Sequence, residues 1–534
     1  MSDTYIMAID AGTGSVRALI FDAEGNQIGC NQREWKHTAD PRFPGSMDFD
    51  WKTNWGLACS CVKDVLAETG IGAAKIAAIS TTCMREGIVL YDGAGQEIWA
   101  CANVDARSGD EVGQLKQIAP ELEKELYLES GQTFALSALP RLLWVKNKLP
   151  EVYQKIARLG MFNDWLIYRL SGVLVVEPSN GSTTGLFDLQ TRTWDRNIAR
   201  RCGIRDDIFP DVAECGTMIA TVSRKGAEES GLAEGTPLVI GGGDCQLGSI
   251  GVGVVNVNDA AVFGGSFWQY EYNTNSGKPA PQCAVRVNCH ALDSVWQYEA
   301  LAFNPGLVMR WYRDAFCQEE KRRAAEQGTD PYALMDREAA RIPAGSHGMI
   351  CTFSDVMNYI AWRHAAPSFM NFDLSPEQFN KYTFYRAIME NTALVTRGHL
   401  RLVEAATGKR PERIVFAGGA SKSALWSQIL ADVLNMPVET PVVKEATALG
   451  AALLAGKGIG LYPDIKEAAK KRVKIAREFT PDPKNEDVYR RAYETWQAAY
   501  AAQLSLSDHH ITRYMWSAPG LLSNLAEDTN VYCR

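Results

Sequence analysis

Two apolar runs open the chain, residues 6–9 and 16–21, with the turn AGTG between them inside the stretch DAGTGSVRALIFD, Asp10 to Asp22. Apolar segments joined by a flexible glycine turn predict a strand pair. A second turn at AEGN, residues 23–26, leads into a third short strand. Trp51, Trp55, Leu57, Ala58, Cys61, Val62 and Val65 then recur on one side of residues 51–68, which predicts a helix. KIAAISTTC, residues 75–83, reads as a buried strand.

The same theme returns at three distant places. PLVIGGGDCQLGSIGVG, from Pro237, runs from apolar strand through glycines to an acid; AAVFGGSFWQYEY, residues 260–272, is strand, Gly-Gly turn and strand. RIVFAGGASKSALWSQILADVL, residues 413–434, is a strand entering a glycine turn that opens an amphipathic helix. Two similar halves, divided near residue 255, would bring these turns together across a cleft. Beyond about residue 470 the sequence turns charged and helical, and SAPGLLSNLAEDTNVYCR at the end reads as weakly structured.

Composition narrows the function class. The chain has 534 residues, 46% of them hydrophobic and 22% charged, which is the profile of a globular enzyme with room for two large domains. Its net charge of −8 argues against nucleic acid or an anionic membrane as partner, since both need basic patches. A small-molecule substrate is the better expectation. MSDTYIMAID lacks the basic and apolar regions of a secretory signal, and Ala446 to Tyr462, rich in Gly and Ala, falls short of a spanning helix. Thirteen scattered cysteines without a paired framework fit a reducing cytoplasm, and the seven histidines form no HExxH.

Two familiar phosphate motifs are missing: there is no GxxxxGK[ST], and GTGSVR lacks the third glycine of GxGxxG. What remains is the set DAGTGSVR, GGGD, FGGS and AGGAS. Amides in such tight turns form anion-holding nests, Thr13 and Ser15 add hydroxyls, and Arg17 adds positive charge. Asp10 suits Mg²⁺ directly or through water, and Asp244 would face an acceptor hydroxyl.

This set resembles the FGGY carbohydrate kinases. The likeness spans roughly residues 5 to 500 and includes DAGTGSVRALIFD, MREG (84–87), VDAR (104–107), NDWLIYRLSG (163–172), EPSNGSTTGLFD (177–188), GGGD (241–244), AGGASKSALWSQILADVL (417–434) and EATALGAALLAG (445–456). It implies an actin-like (ribonuclease H-like) α/β kinase fold of two domains around a central cleft. The expected division is an N-terminal domain over 1–255, a C-terminal domain over 256–475 and a helical extension over 476–534.

Carried over by position, the resemblance implies ATP and Mg²⁺ as cofactors. Asp10, Thr13, Gly14 and Arg17 would form the first phosphate loop, and Gly264, Gly265 and Ser266 the second; Gly306, Arg310, Gly419 and Ser423 would touch the nucleotide's base and sugar side. Asp244 would be the catalytic base and, with Asp10, serve the metal. Arg85 and Glu86 match a pair that holds polyol hydroxyls, Asp105 with Arg107 matches the next substrate-side motif, and Trp268 matches an aromatic wall of the pocket. Glu299 carries less weight, Lys422 reads as a solvated cation, and Cys245 as a packing residue. Many relatives have Thr where this chain has Gly265, which removes a hydroxyl from the second loop.

Longer strings narrow the likeness. CANVDARS, SALPRLLW, GGGDCQLG, FGGSFWQ, MRWYRDAFCQEEK, HAAPSF, LWSQILADV and PVVKEATALG are similar to the autoinducer-2 kinase subgroup of that family, and MREG stands where xylulokinases carry Gln-Met-His-Gly. The implied activity is phosphorylation of open-chain 4,5-dihydroxypentane-2,3-dione, a quorum-sensing signal, at its C5 hydroxyl. Two alternatives stay open: another small polyol or sugar, such as glycerol, erythritol or a pentulose, and a nucleotide-switched regulator without transfer activity. The family leaves room for a homodimer and for a regulatory protein of the sugar phosphotransferase system.

Overall fold

The computed structural model describes residues 4–302, 305–443 and 445–520. The opening hairpin forms as the pattern predicts: strand Tyr5–Ala11 pairs antiparallel with Ser15–Asp22, setting Asp10 opposite Arg17. Tyr5–Ala11 also runs parallel to Ile76–Cys83, which runs parallel to Pro237–Gly243. Strands covered on both faces carry unbroken apolar runs, and Ile6, Met7, Ala8 and Ile9 are all buried. The complete sheet has six strands, with Met218–Thr221 at one edge and Gln27–Glu34 at the other. Helix Trp51–Thr69 packs on it through Trp55, Ala58, Cys61, Val62 and Val65. Asp50 caps its first turn by accepting from the amides of Lys52 and Thr53, and Gly70, at φ 67°, ends it in the left-handed conformation.

The chain divides into two compact units. Of the described residues, one unit holds 4–257 together with Asn273–Gln297 and Glu445–Lys474; the other holds Asn258–Tyr272, 298–302, 305–443 and 475–520. This differs from a contiguous division at 255 and 475. The physical reason is a close helix contact that returns residues 445–474 to the first unit. A Cβ on Gly251 would sit 1.8 Å from the carbonyl oxygen of Ala446, and one on Gly450 would sit 2.0 Å from that of Leu247. Only glycine allows helices Asp244–Gly251 and Ala446–Gly458 to approach so closely.

In the second unit five neighbouring strands run in the order Trp268–Thr274, Ala260–Gly264, Ile414–Ala417, Val438–Pro441 and Ile475–Phe479. The 27-residue helix Lys381–Thr407 is buried along most of its length. The expected C-terminal extension is no separate body among the described residues. Helix Glu486–Asp508 belongs to the second unit, where it buries Tyr489, Tyr493 and Trp496, and the Trp496 indole donates to the Cys351 carbonyl at 3.1 Å. The expected weak tail lies, from residue 521, outside the described residues. Among the described residues no helix is long and apolar enough to cross a membrane.

Candidate functional site

In the first unit the turn between the opening strands presents its amides. Trp35 draws the carbonyls away: its indole N–H donates to the Gly12 and Thr13 oxygens at 3.1 and 3.2 Å, and its backbone N–H donates to Gly14 at 3.1 Å. The amides of Thr13 and Gly14 have no acceptor among the described residues, which is what an anion nest requires. Thr13 is exposed, and its hydroxyl accepts from the Asn103 side-chain amide at 3.1 Å.

Arg17 does something other than expected. Its guanidinium donates to Asp10 Oδ2 at 2.7 Å and to Glu445 Oε2 at 2.5 Å, so both terminal nitrogens are engaged by carboxylates. It acts as a clamp on two acids rather than an open donor to phosphate. Asp10 is buried, and burial pushes its carboxyl above the ordinary aspartate range; Arg17 opposes this and Glu445 adds to it. Glu445 lies 428 residues from Arg17 and opens the stretch EATALGAALLAG, which by itself assigns it no partner.

Asp244 sits where strand Pro237–Gly243 ends and helix Asp244–Gly251 begins. Its side chain keeps 39% of its surface, while Arg85 Nε approaches Oδ1 at 3.3 Å and the Cys245 amide donates to the same oxygen at 2.8 Å. Burial among protein groups pushes this carboxyl up, more strongly than Arg85 pulls it down; the charges of Glu86 and Asp10 push the same way as burial. Gly243 makes the approach possible, since a Cβ there would stand 3.0 Å from Arg85 Cδ.

Glu86 takes a left-handed backbone, φ 61°, which turns its carboxylate to Arg286 Nη1 at 2.5 Å. Arg141 holds the turn by donating to the Glu86 carbonyl at 2.7 Å, and Gln132 accepts from Arg286 Nε at 2.8 Å. Arg85, Glu86, Asp244 and Asp10 therefore belong to one charged cluster. Arg286 and Arg141 complete it without a sequence signal. Asp10 and Asp244 offer the hard oxygens that Mg²⁺ prefers, and the charge of Asp10 already raises the proton affinity of Asp244, so a divalent cation fits the pair.

Two substrate expectations need correction. Asp105 is fully buried, accepting from the Met47 amide at 2.6 Å and from Arg107 Nε at 2.8 Å. Arg107 in turn reaches Asp48 at 2.5 Å and lies over the Trp144 ring at 4.8 Å, so Asp105 braces a loop. Trp268 has no exposed surface: it stacks on Trp426 with ring centroids 5.2 Å apart and donates to Thr396 Oγ1 at 2.9 Å. A side chain without surface cannot wall a pocket. Glu299 and Cys245 are likewise buried.

In the second unit two glycine turns and the start of helix Pro305–Phe316 meet backbone to backbone. A Cβ on Gly306 would lie 2.1 Å from the Gly265 carbonyl oxygen, and one on Gly418, at φ 93°, would lie 2.6 Å from that of Gly264. These segments open onto a cavity of about 550 Å³. Gly264, Gly265, Ser266, Gly306, Arg310, Gly419 and Ser423 all line it, so every second-unit position assigned to the nucleotide converges on one space. Lys422 also lines the cavity and is exposed there, in keeping with its reading as a solvated cation. Arg313, inside MRWYRDAFCQEEK, also lines it, and Asp330, Tyr332, Asp336 and Tyr385, which belong to no motif, are revealed only by the fold.

Comparison with known proteins places the chain in a family. The family model described as the FGGY family of carbohydrate kinases, N-terminal domain, matches residues 5–251, and its C-terminal counterpart matches 274–459. An autoinducer-2 kinase from Salmonella paratyphi A is 50% identical over 521 residues, covering 97% of this chain and 98% of that one. One from Enterobacter sp. strain 638 is 50% identical over 520 residues with the same coverage. Among solved structures, a xylulose kinase from Rhodospirillum rubrum superposes with a TM-score of 0.84 at 23% identity, over 94% of this chain and 99% of that one, and shows the fold. With both halves matched and full-length relatives at half identity, the chain belongs to the FGGY family of carbohydrate kinases.

Proposed function

We propose that the chain transfers the γ-phosphoryl group of ATP to the C5 hydroxyl of autoinducer-2 in its open-chain form, 4,5-dihydroxypentane-2,3-dione. The observation that carries the substrate is the 50% identity to autoinducer-2 kinases along 97% of the chain. The charged cluster of the first unit suits such a molecule. Arg85 supplies donors for carbonyl or hydroxyl oxygens, and the Glu86 carboxylate, held by Arg286, has lone pairs left to accept from hydroxyls.

The chemistry follows from the carboxylate at Asp244. It takes the proton of the C5 hydroxyl as that oxygen bonds to the γ-phosphorus, and the bond from γ-phosphorus to the bridging oxygen breaks to release ADP. The raised proton affinity of Asp244 makes it a better base than an ordinary aspartate. Exposed amides at Thr13 and Gly14 suit phosphate oxygens, and Arg17 keeps Asp10 and Glu445 in register. Mg²⁺, when held by Asp10 and Asp244, would neutralise charge on the phosphates. The cavity with Gly264, Ser266, Gly306 and Gly419 would take the nucleotide. ATP and a charged product favour the cytoplasm as the working compartment.

The test is ADP release with autoinducer-2 beside glycerol, erythritol, xylulose and ribulose. The diketone should give the highest kcat/KM, and a higher value with any polyol or sugar would replace the substrate. No ADP release above the ATPase background with any of them would leave the regulator reading in place.

A further inference from the structure

The nucleotide cavity of the second unit contains a carboxylate that the reaction does not use. Asp336, on helix Pro331–Ala339, lines the cavity beside Ser423 and Tyr385. The Tyr385 hydroxyl donates to Asp336 Oδ1 at 2.9 Å, and Ser423 also hydrogen-bonds to this carboxylate. The same Ser423 oxygen accepts from the Trp426 amide at 3.0 Å as the cap of helix Ala424–Leu434. Each hydroxyl has one hydrogen, and both hydrogens are directed at Asp336. Ser423 is therefore left without a donor for a ligand, and the group presented to the cavity is an acceptor.

A carboxylate has about four lone-pair sites, so two remain once the hydroxyls are accommodated. Phosphate oxygens would be repelled there, while the glycine turns at 264–265 and 418–419 and the cation of Lys422 suit them. Asp336 thus marks the nucleoside part of the cavity. Adenine's pairing edge joins a donor, N6, to an acceptor, N1, and an acceptor-only group matches half of it. The vicinal 2′- and 3′-hydroxyls of ribose are two donors side by side, which a carboxylate satisfies without mismatch. Burial raises the proton affinity of Asp336, with no cation among the groups acting on it, so a neutral donor pair is better tolerated there than an unpaired charge.

We infer that Asp336, held in place by Tyr385 and Ser423, is the residue that accepts the ribose hydroxyls of the nucleotide and makes the enzyme selective for ribonucleotides. This rests on the cavity being the ATP site. The experiment measures Kd by calorimetry for ATP, 2′-deoxy-ATP, 3′-deoxy-ATP and GTP, together with kcat/KM for each, in the wild type, Asp336→Asn, Asp336→Ala and Tyr385→Phe. The wild type should bind ATP about tenfold or more tightly than at least one deoxy analogue, the scale of a lost hydrogen bond to a charged acceptor. Asp336→Ala should weaken ATP by a similar factor, leave that deoxy analogue nearly unchanged, and bring their ratio close to one. Tyr385→Phe, which keeps the carboxylate but loosens it, should fall between.

Equal wild-type affinity for ATP and both deoxy analogues would overturn the inference while leaving the kinase reading intact. So would an equal loss for all nucleotides in Asp336→Ala, which marks a structural role, or a change confined to the GTP to ATP ratio, which marks contact with the base. Failure of the nucleotide site itself has a separate signature: no ATP binding by the wild type, or none lost on Ser266→Ala with Lys422→Ala.

Discussion

Replacing Asp244 by Asn tests the proton transfer at the centre of the proposed reaction. The amide has the same shape, and its oxygen can keep the bond from the Cys245 amide, made at 2.8 Å, so the start of helix Asp244–Gly251 is preserved. What is lost is a basic carboxylate. General-base catalysis contributes about 10²- to 10⁴-fold, equivalent to roughly 2.7–5.4 kcal/mol of barrier. In an ADP-release assay with saturating ATP and autoinducer-2, kcat should fall by that factor while calorimetric ATP affinity stays within about twofold. A kcat within tenfold of wild type would remove Asp244 from the mechanism.

The pH profile checks the same group independently. Protonated Asp244 is inactive as a base, so kcat/KM should fall on the acid side. The midpoint should lie above the 3.8 of an ordinary aspartate, because burial, Glu86 and Asp10 outweigh Arg85. Arg85→Gln removes the one opposing cation and should move the midpoint higher still. A shift toward lower pH in that variant would refute the electrostatic reasoning.

Other consequences can be measured on the same preparations. Gly306→Ala places a methyl 2.1 Å from the Gly265 carbonyl oxygen, a backbone atom that cannot swing aside, so KM for ATP should rise about tenfold or more with KM for autoinducer-2 nearly unchanged. Gly265→Thr meets open space apart from the Phe267 carbonyl at 3.8 Å, so it should fold normally and lower KM for ATP by about two- to tenfold through the added hydroxyl; a rise would deny that loop a phosphate contact. Trp268→Ala should cost about 3–5 kcal/mol in denaturant unfolding while KM for autoinducer-2 in the folded fraction stays constant, and a selective rise in that KM would restore the side chain to the substrate wall. Arg17→Ala leaves Asp10 buried beside Glu445 without its cation, which should raise the proton affinity of Asp10 further and destabilise the fold more at pH 8 than at pH 5; equal losses at both would refute the clamp.

Stability at neutral pH carries the signature of these acids. Asp10, Asp244 and Asp336 all have carboxyls raised by burial, so each favours the folded chain most when protonated and contributes less as pH climbs through its folded value. Such acids are kept at the expense of stability, which is common at working sites.

The sequence by itself determined what depends on neighbours along the chain. The opening hairpin, the helix capped by Asp50 and Gly70, the strand leading to GGGD and the turn before Ala424 follow from apolar spacing, glycine freedom and capping, all of which act within a few residues. That Gly264, Gly306 and Gly419 line one cavity is in keeping with the positions the family resemblance implied for them. Tertiary structure alone decided partnerships. Arg17 with Glu445, Glu86 with Arg286, and Ser423 with Asp336 join residues 428, 200 and 87 positions apart, and nothing local encodes which acid a guanidinium or hydroxyl will meet. Trp268 illustrates the converse. Its match to an aromatic of the family's pocket implies a pocket wall, yet an aromatic gains most by complete burial, and the fold stacks it on Trp426 inside the core. The division into units was hidden for the same reason: glycines at 251 and 450 permit a close helix approach, but only the folded chain shows that they face one another.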